Sequence, residues 1–122
     1  MHEMGIALRI VEIATEALPD DMPNASVEKV HLKIGKLAAV IPSSLRFCYE
    51  IVIRETSLQG SVLEIEEIPV VARCRTCLFE WTVHKPDFIC TRCQSGKVDI
   101  IAGRELDIVS IEVAEGKKDV FH

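Results

Sequence analysis

Four of the five cysteines fall in two close pairs, Cys74-x2-Cys77 and Cys90-x2-Cys93. Two intervening residues let both sulfurs of a tight turn reach one metal, and four thiolates match zinc's tetrahedral preference. The twelve residues 78–89 suffice for a short hairpin that brings the second turn opposite the first. Phe79, Trp81, Val83 and Phe88 are expected to pack beneath the metal, since so small a module has little core of its own. Four protein ligands leave no open coordination position, so the zinc is expected to be structural rather than catalytic. A rubredoxin-like iron site would use the same ligands. Two redox-active pairs are a weaker reading, because neither Cys-x-x-Cys opens a helix in a βαβ context. Cys48 lies in an apolar helical stripe and reads as a small core residue. His84 reads as a solvated loop residue, and His122 as part of a polar tail.

A second constellation stands at the start of the chain, Met1-His2-Glu3. The α-amine, the His2 backbone nitrogen and the His2 imidazole can close fused chelate rings around one cation. Nitrogen donors of this kind suit square-planar Ni(II) or Cu(II). The helical pattern begins at once, and the first N–H groups of a helix have no intrahelical partner, so a deprotonated amide there sacrifices no helix bond. Glu3 would offset the positive end of the helix dipole, which otherwise opposes a cation. Standing alone, such a terminus reads more simply as a frayed end.

The elements that must position these groups follow from hydrophobic periodicity. Met4, Ala7, Leu8, Val11, Ala14 and Leu18 recur at helical spacing over residues 3–18, and Pro19 to Pro23 end the pattern. Val30, Leu32 and Ile34 alternate with Lys29, His31 and Lys33, which predicts a strand with one wet face over Val27–Gly35. Pro42-Ser43-Ser44 opens a second helix, with Leu45, Phe47, Cys48, Tyr49, Ile51 and Val52 lining a mostly buried stripe. Further strands are expected over 62–71, with Glu64, Glu66 and Glu67 on its solvent side, and over 104–113. Both lose their alternation partway, and the matched shifts suggest antiparallel neighbours with a bulge. Residues 117–122 read as a polar tail. The expected fold is α+β: a small mixed three-stranded sheet with two helices on one face, plus an inserted zinc-ribbon module. The ribbon is placed at residues 73–97, between body segments 1–72 and 98–122.

Composition narrows the function classes. Nearly half of the 122 residues are apolar, enough for a packed core, and the formal net charge of −5 disfavours a general nucleic-acid binder. Residues 73–97 carry five Lys/Arg against two Asp/Glu, a basic module within an acidic body. Neither a leader pattern, nor a membrane-spanning apolar run, nor a lipidation motif is found, so a cytoplasmic protein with reduced thiols is expected, without membrane attachment. No nucleophile–base pair, phosphate-binding glycine loop or paired carboxylates can be read from the spacing, and no enzymatic turnover is expected.

Met1-His2-Glu3 before an apolar helix, Leu32-Lys33-Ile34-Gly35, Ser43-Ser44-Leu45-x-Phe47-Cys48, the four-cysteine pattern and the closing stretch from Glu105 to Val113 occur together in this order. Over almost its full length the chain resembles the HypA/HybF family of hydrogenase maturation factors. That resemblance implies a nickel metallochaperone for the [NiFe]-hydrogenase active site, with Ni(II) as cargo and Zn(II) as structural cofactor. It also implies His2 as the essential nickel ligand, Glu3 as a contributor, and a nickel-handling GTPase of the HypB type and the hydrogenase large subunit as partners; some members also serve urease. Some members offer a loop carboxylate after the first strand, whereas Leu37-Ala38-Ala39-Val40-Ile41 here contains no acid. The competing readings are a zinc-ribbon nucleic-acid-binding module, using Phe79, Trp81 and Phe88 to stack bases, and a zinc-stabilised adaptor without nickel affinity.

Overall fold

The computed structural model describes residues 3–19, 25–114 and 116–119. The α+β class holds. Helix α1 spans Glu3–Glu16 and α2 spans Pro42–Val52, separated by strand β1 (Val27–Gly35) and a 3₁₀ turn at Lys36–Ala38. Strands β2 (Val62–Ile68), β3 (Val71–Cys74), β4 (Glu80–Thr82), β5 (Val98–Ala102), β6 (Leu106–Val113) and β7 (Gly116–Asp119) follow. The helices pack against each other.

In α1 the buried residues are Ala7, Ile10, Ile13 and Ala14, while Met4 and Leu8, expected in the core stripe, face outward. At 100° per residue these two sit well to one side of the buried face. Pro42 occupies the first turn of α2, where its missing N–H costs no helix bond. Leu45 and Tyr49, one turn apart, are its buried residues, and the Tyr49 hydroxyl shares a 2.6 Å hydrogen bond with Ser61 Oγ. The broader apolar stripe expected for α2 is corrected here. Phe47 is 60% and Ile51 38% exposed, because both lie nearly opposite Leu45 and Tyr49 on the helix, and Cys48 is only half-buried.

The three expected strands lie side by side in the order β2-β1-β6, and β7 extends the sheet to four. The tail segment therefore contributes an antiparallel hairpin, with Val113 opposite Gly116 and Ser110 opposite Asp119. Gly35 N–H donates to Glu105 O and Ala114 N–H donates to Ser26 O, so β1 and β6 run antiparallel. The expectation that the strands in 62–71 and 104–113 are neighbours fails, because β1 lies between them. Burial explains the order: Val27, Val30, Leu32 and Ile34 are at most 2% exposed, whereas β2 exposes Glu64, Glu66 and Glu67 and takes the edge. Nor is 62–71 one strand. Pro69, which has no N–H for a ladder, separates β2 from β3, and β3 joins a different sheet of order β4-β3-β5.

The chain divides into two compact units. The first comprises Met1–Lys33, Ala39–Glu66 and Asp107–His122; the second comprises Ile34–Ala38 and Glu67–Leu106. The second is wider than residues 73–97 because β5 pairs along the whole of β3 and the 3₁₀ turn is tied to the end of β5. Leu37 N–H donates to Gly103 O at 2.7 Å. Glycine is required on both sides of that tie. A Cβ on Gly35 would overlap the Gly103 carbonyl group, and Gly103 has φ +115 with Val70 Cα 2.8 Å from where its own Cβ would lie.

Candidate metal centre

The two cysteine pairs lie on matching turns. Leu78 N–H donates to Cys74 O and Gln94 N–H to Cys90 O, both at 2.9 Å. Cys74 N–H donates to Phe79 O and Cys90 N–H to Ser95 O, also at 2.9 Å. Leu78 and Gln94 take positive φ of 66° and 63°, the left-handed step that closes each turn. Cys74 ends β3, which carries its sulfur into the centre of the second unit, and Thr76 Oγ1 meets Ser95 Oγ at 3.0 Å to tie one turn to the other. Cys74 and Cys90 are buried, while Cys77 and Cys93 are exposed.

All four sulfurs lie within 4.8 Å of one another. Cys74 and Cys93 are 3.5 Å apart, and Cys77 and Cys90 3.6 Å. Disulfide sulfurs are about 2.05 Å apart; a tetrahedral site with Zn–S of about 2.3 Å requires about 3.8 Å between sulfurs. The donor set therefore fits zinc. Backbone amides already point at the sulfurs: Cys77 N–H at Cys74 Sγ (3.5 Å), and Arg92 and Cys93 N–H at Cys90 Sγ (both 3.4 Å). The Cys77 amide leads the effects that hold the Cys74 thiol down at about 6. Burial opposes ionisation of Cys90, but the Cys93 and Arg92 amides outweigh it and its pKa falls below the ordinary thiol value. The Ser95 amide favours a Cys93 thiolate, yet the sulfur of Cys74, then burial and the sulfurs of Cys77 and Cys90, push that thiol up to about 12. Crowded thiolates repel one another, and a divalent cation removes that repulsion.

Phe79 and Trp81 stack with ring centroids 6.2 Å apart and planes inclined by 10°, and the Arg92 guanidinium lies 5.7 Å from the Phe79 centroid. Phe79, Trp81 and Val83 are half-buried, whereas Phe88 is exposed and His84 is a solvated loop residue. Met1, His2 and His122 lie outside the described residues. Glu3 opens α1 as the acid of its first turn.

One cluster was not anticipated from the sequence. His31, expected on a solvated face, is held between two carboxylates: its Nε2 is 3.1 Å from Glu112 Oε2 and its Nδ1 3.6 Å from Glu64 Oε1. Lys29 Nζ reaches Glu64 at 3.1 Å and Glu112 at 3.8 Å. The hydrogen bond from Lys29 lowers the Glu64 pKa, and the same bond raises that of Lys29. Alternation along β1 signals the paired Lys29 and His31, but their partners depend on β1 lying between β2 and β6. The two carboxylates face different ring nitrogens of the imidazole and share the Lys29 ammonium between them. Among the described residues, the four cysteines alone form a group able to hold a metal.

A family model described as "Hydrogenase/urease nickel incorporation, metallochaperone, hypA" matches residues 1–113. A hydrogenase maturation factor HypA from Desulfosudis oleivorans is 57% identical over 115 residues, covering 94% of this chain and 100% of the relative. One from Streptomyces avermitilis is 40% identical over 118 residues, covering 96% of this chain and 90% of the relative. The solution structure of the Ni metallochaperone HypA from Helicobacter pylori aligns with a TM-score of 0.62 at 24% identity, covering 93% of this chain and 97% of that one. A second solution structure of a HypA protein aligns with a TM-score of 0.70 at 23% identity, covering 93% and 96%. At these identities the two structures bear on the fold.

Proposed function

The chain belongs to the HypA family of hydrogenase/urease nickel-incorporation metallochaperones, and from that membership we propose that it carries Ni(II) on its first residues and delivers it for [NiFe]-hydrogenase maturation. The observation that carries the reading is the placement of Glu3 at the very start of α1, directly after Met1-His2. The Met1 amine, the His2 amide and the His2 imidazole supply nitrogen donors that suit Ni(II). The helix N-terminus leaves the backbone N–H groups without helical partners, and the Glu3 carboxylate offsets the dipole that repels a cation. The unit that begins with Met1 is the nickel-bearing body, and the second unit is the module in which Cys74, Cys77, Cys90 and Cys93 hold structural zinc. The protein acts as a cytoplasmic carrier without turnover, and none of its described helices is long and apolar enough to cross a membrane. Its partners are a HypB-type GTPase and the hydrogenase large subunit. A zinc-ribbon nucleic-acid role is disfavoured, since Phe79 and Trp81 stack on each other and Arg92 lies over Phe79, and family membership disfavours an adaptor without nickel affinity.

Equilibrium dialysis of tag-free protein against Ni(II) tests the site. One nickel is expected to bind per chain, more tightly as pH rises through the imidazole and amine titrations, because coordination displaces protons. His2→Ala should abolish that binding with zinc content and thermal stability unchanged, and residues fused before Met1 should impair it similarly. Undiminished nickel affinity in the His2→Ala protein would move the site elsewhere.

A further inference from the structure

The 3₁₀ turn at Lys36–Ala38 offers no acid to a metal, yet it is firmly placed by backbone contacts within the second unit. Leu37 and Gly35 N–H groups donate to Gly103 O and Glu105 O, each at 2.7 Å, and the Gly35–Gly103 contact leaves no room for a side chain between the segments. Leu37 thereby forms one wall of an open cleft of about 430 Å³, whose other lining residues are Phe88, Val98, Ile100 and Arg104. Four of these five are apolar, and Leu37 and Phe88 remain 41% and 37% exposed. The polar group is the Arg104 guanidinium. Among the described residues no carboxylate pairs with it: Asp99 pairs with Arg75 at 3.5 Å, and Glu105 accepts the Gly103 N–H at 2.7 Å. The unit carries seven Lys/Arg against five Asp/Glu in a chain of net charge −5.

Apolar walls with one cation at the edge recognise an apolar group that has a carboxylate beside it, since a guanidinium binds carboxylates in bidentate fashion. A single orienting polar group is too few to hold a small metabolite in one pose, whereas the open side lets a longer chain continue past the cleft. We propose that this cleft docks an acidic, apolar segment of a partner polypeptide. One large apolar side chain seats against Leu37, Phe88, Val98 and Ile100, and an adjacent carboxylate pairs with Arg104. This goes beyond nickel carriage and needs no metal at the amino terminus.

The test uses full-length, zinc-loaded, nickel-free protein and NMR of its methyl and arginine side chains. The probe is the blocked peptide Gly-Leu-Phe-Asp-Leu-Glu-Gly, with its Asn/Gln counterpart and hexanoate as comparisons. Saturable shifts are expected at Leu37, Val98, Ile100 and Arg104, with binding at least about ten-fold weaker for the Asn/Gln peptide and for Arg104→Gln, as for loss of a charge-assisted bond. Arg104→Lys should recover part of the affinity. Arg104 is exposed, so zinc content and spectrum should survive its substitution; if they do not, the two peptides against the unaltered protein decide the matter. Shifts outside the cleft, absence of saturation, or equal binding of both peptides would overturn the proposal. Hexanoate binding as tightly as the acidic peptide would overturn the polypeptide assignment. Because nickel is absent throughout, neither result bears on the terminal metal site.

Discussion

The two compact units of this chain reach order by different means. Among its described residues the first buries fifteen apolar side chains, including Leu45, Tyr49, Leu58 and Ile111 at no more than 1% exposure. Apolar burial at roughly 25 cal/mol per Å² supports a helix–sheet body of that size. The second buries only Ile34, Val70, Ala72 and two of its own metal-binding sulfurs, Cys74 and Cys90. Its three-stranded sheet is short, and its aromatic pair is half-buried. Where the core is missing, a tetrathiolate site substitutes for it, since zinc binding in small modules contributes about 10–16 kcal/mol in apparent free energy. A chain can thus join a unit that folds on hydrophobic terms to one that folds on metal terms, and the two should fail separately.

The largest effect should come from the metal. Stripping zinc with a strong chelator, or replacing Cys93 with Ala, should abolish the dispersed NMR signals of Glu67–Leu106, while the helical circular dichroism of α1 and α2 persists. A simultaneous loss of both would break the contrast. Next, Leu45→Ala in the first unit should lower unfolding stability by about 2–5 kcal/mol through lost burial and a residual cavity. Zinc stoichiometry should stay at one per chain, and a drop in zinc content would show the units to be coupled. Smaller again, Gly103→Ala forces a side chain into positive φ against Val70 and should cost about 1–3 kcal/mol, read as weakened zinc retention in competition with a chromophoric chelator. The smallest effect should come from the exposed ion pairs of the first unit. Glu64 has a depressed pKa, so its contribution is full above the ordinary value of 4.5 and is lost as pH falls through the lower folded-state value. Lys29 has a raised pKa, so its share is full below 10.5 and is lost as pH rises through the higher folded-state value. Glu64→Gln should flatten the acid limb of the stability–pH curve of the first unit and leave zinc retention unaffected; an unchanged limb would remove the pair from the account.

Particular residues show where sequence reasoning reached and where it stopped. Both helices and the strands β1, β2 and β6 could be placed from periodicity and from Pro42, because 3.6- and 2-residue repeats are local signatures. The outward turn of Phe47 and Leu8 could not, because an apolar residue on the flank of a stripe reads the same whether or not another element covers it. The order β2-β1-β6 was missed because pairing depends on which strand is buried deepest, a competition among segments far apart in the chain. The ion-pair cluster at His31 follows from that order and was hidden with it.

What the sequence by itself determined is the metal chemistry. For the zinc site, two residues between cysteines place both sulfurs on one turn whatever surrounds it. Tertiary structure alone decided that the 3₁₀ turn joins the zinc-binding unit, that Gly35 meets Gly103, and that Leu37 and Arg104 come to line one cleft. Those residues are distant along the chain, and only the packing of backbone on backbone brings them together.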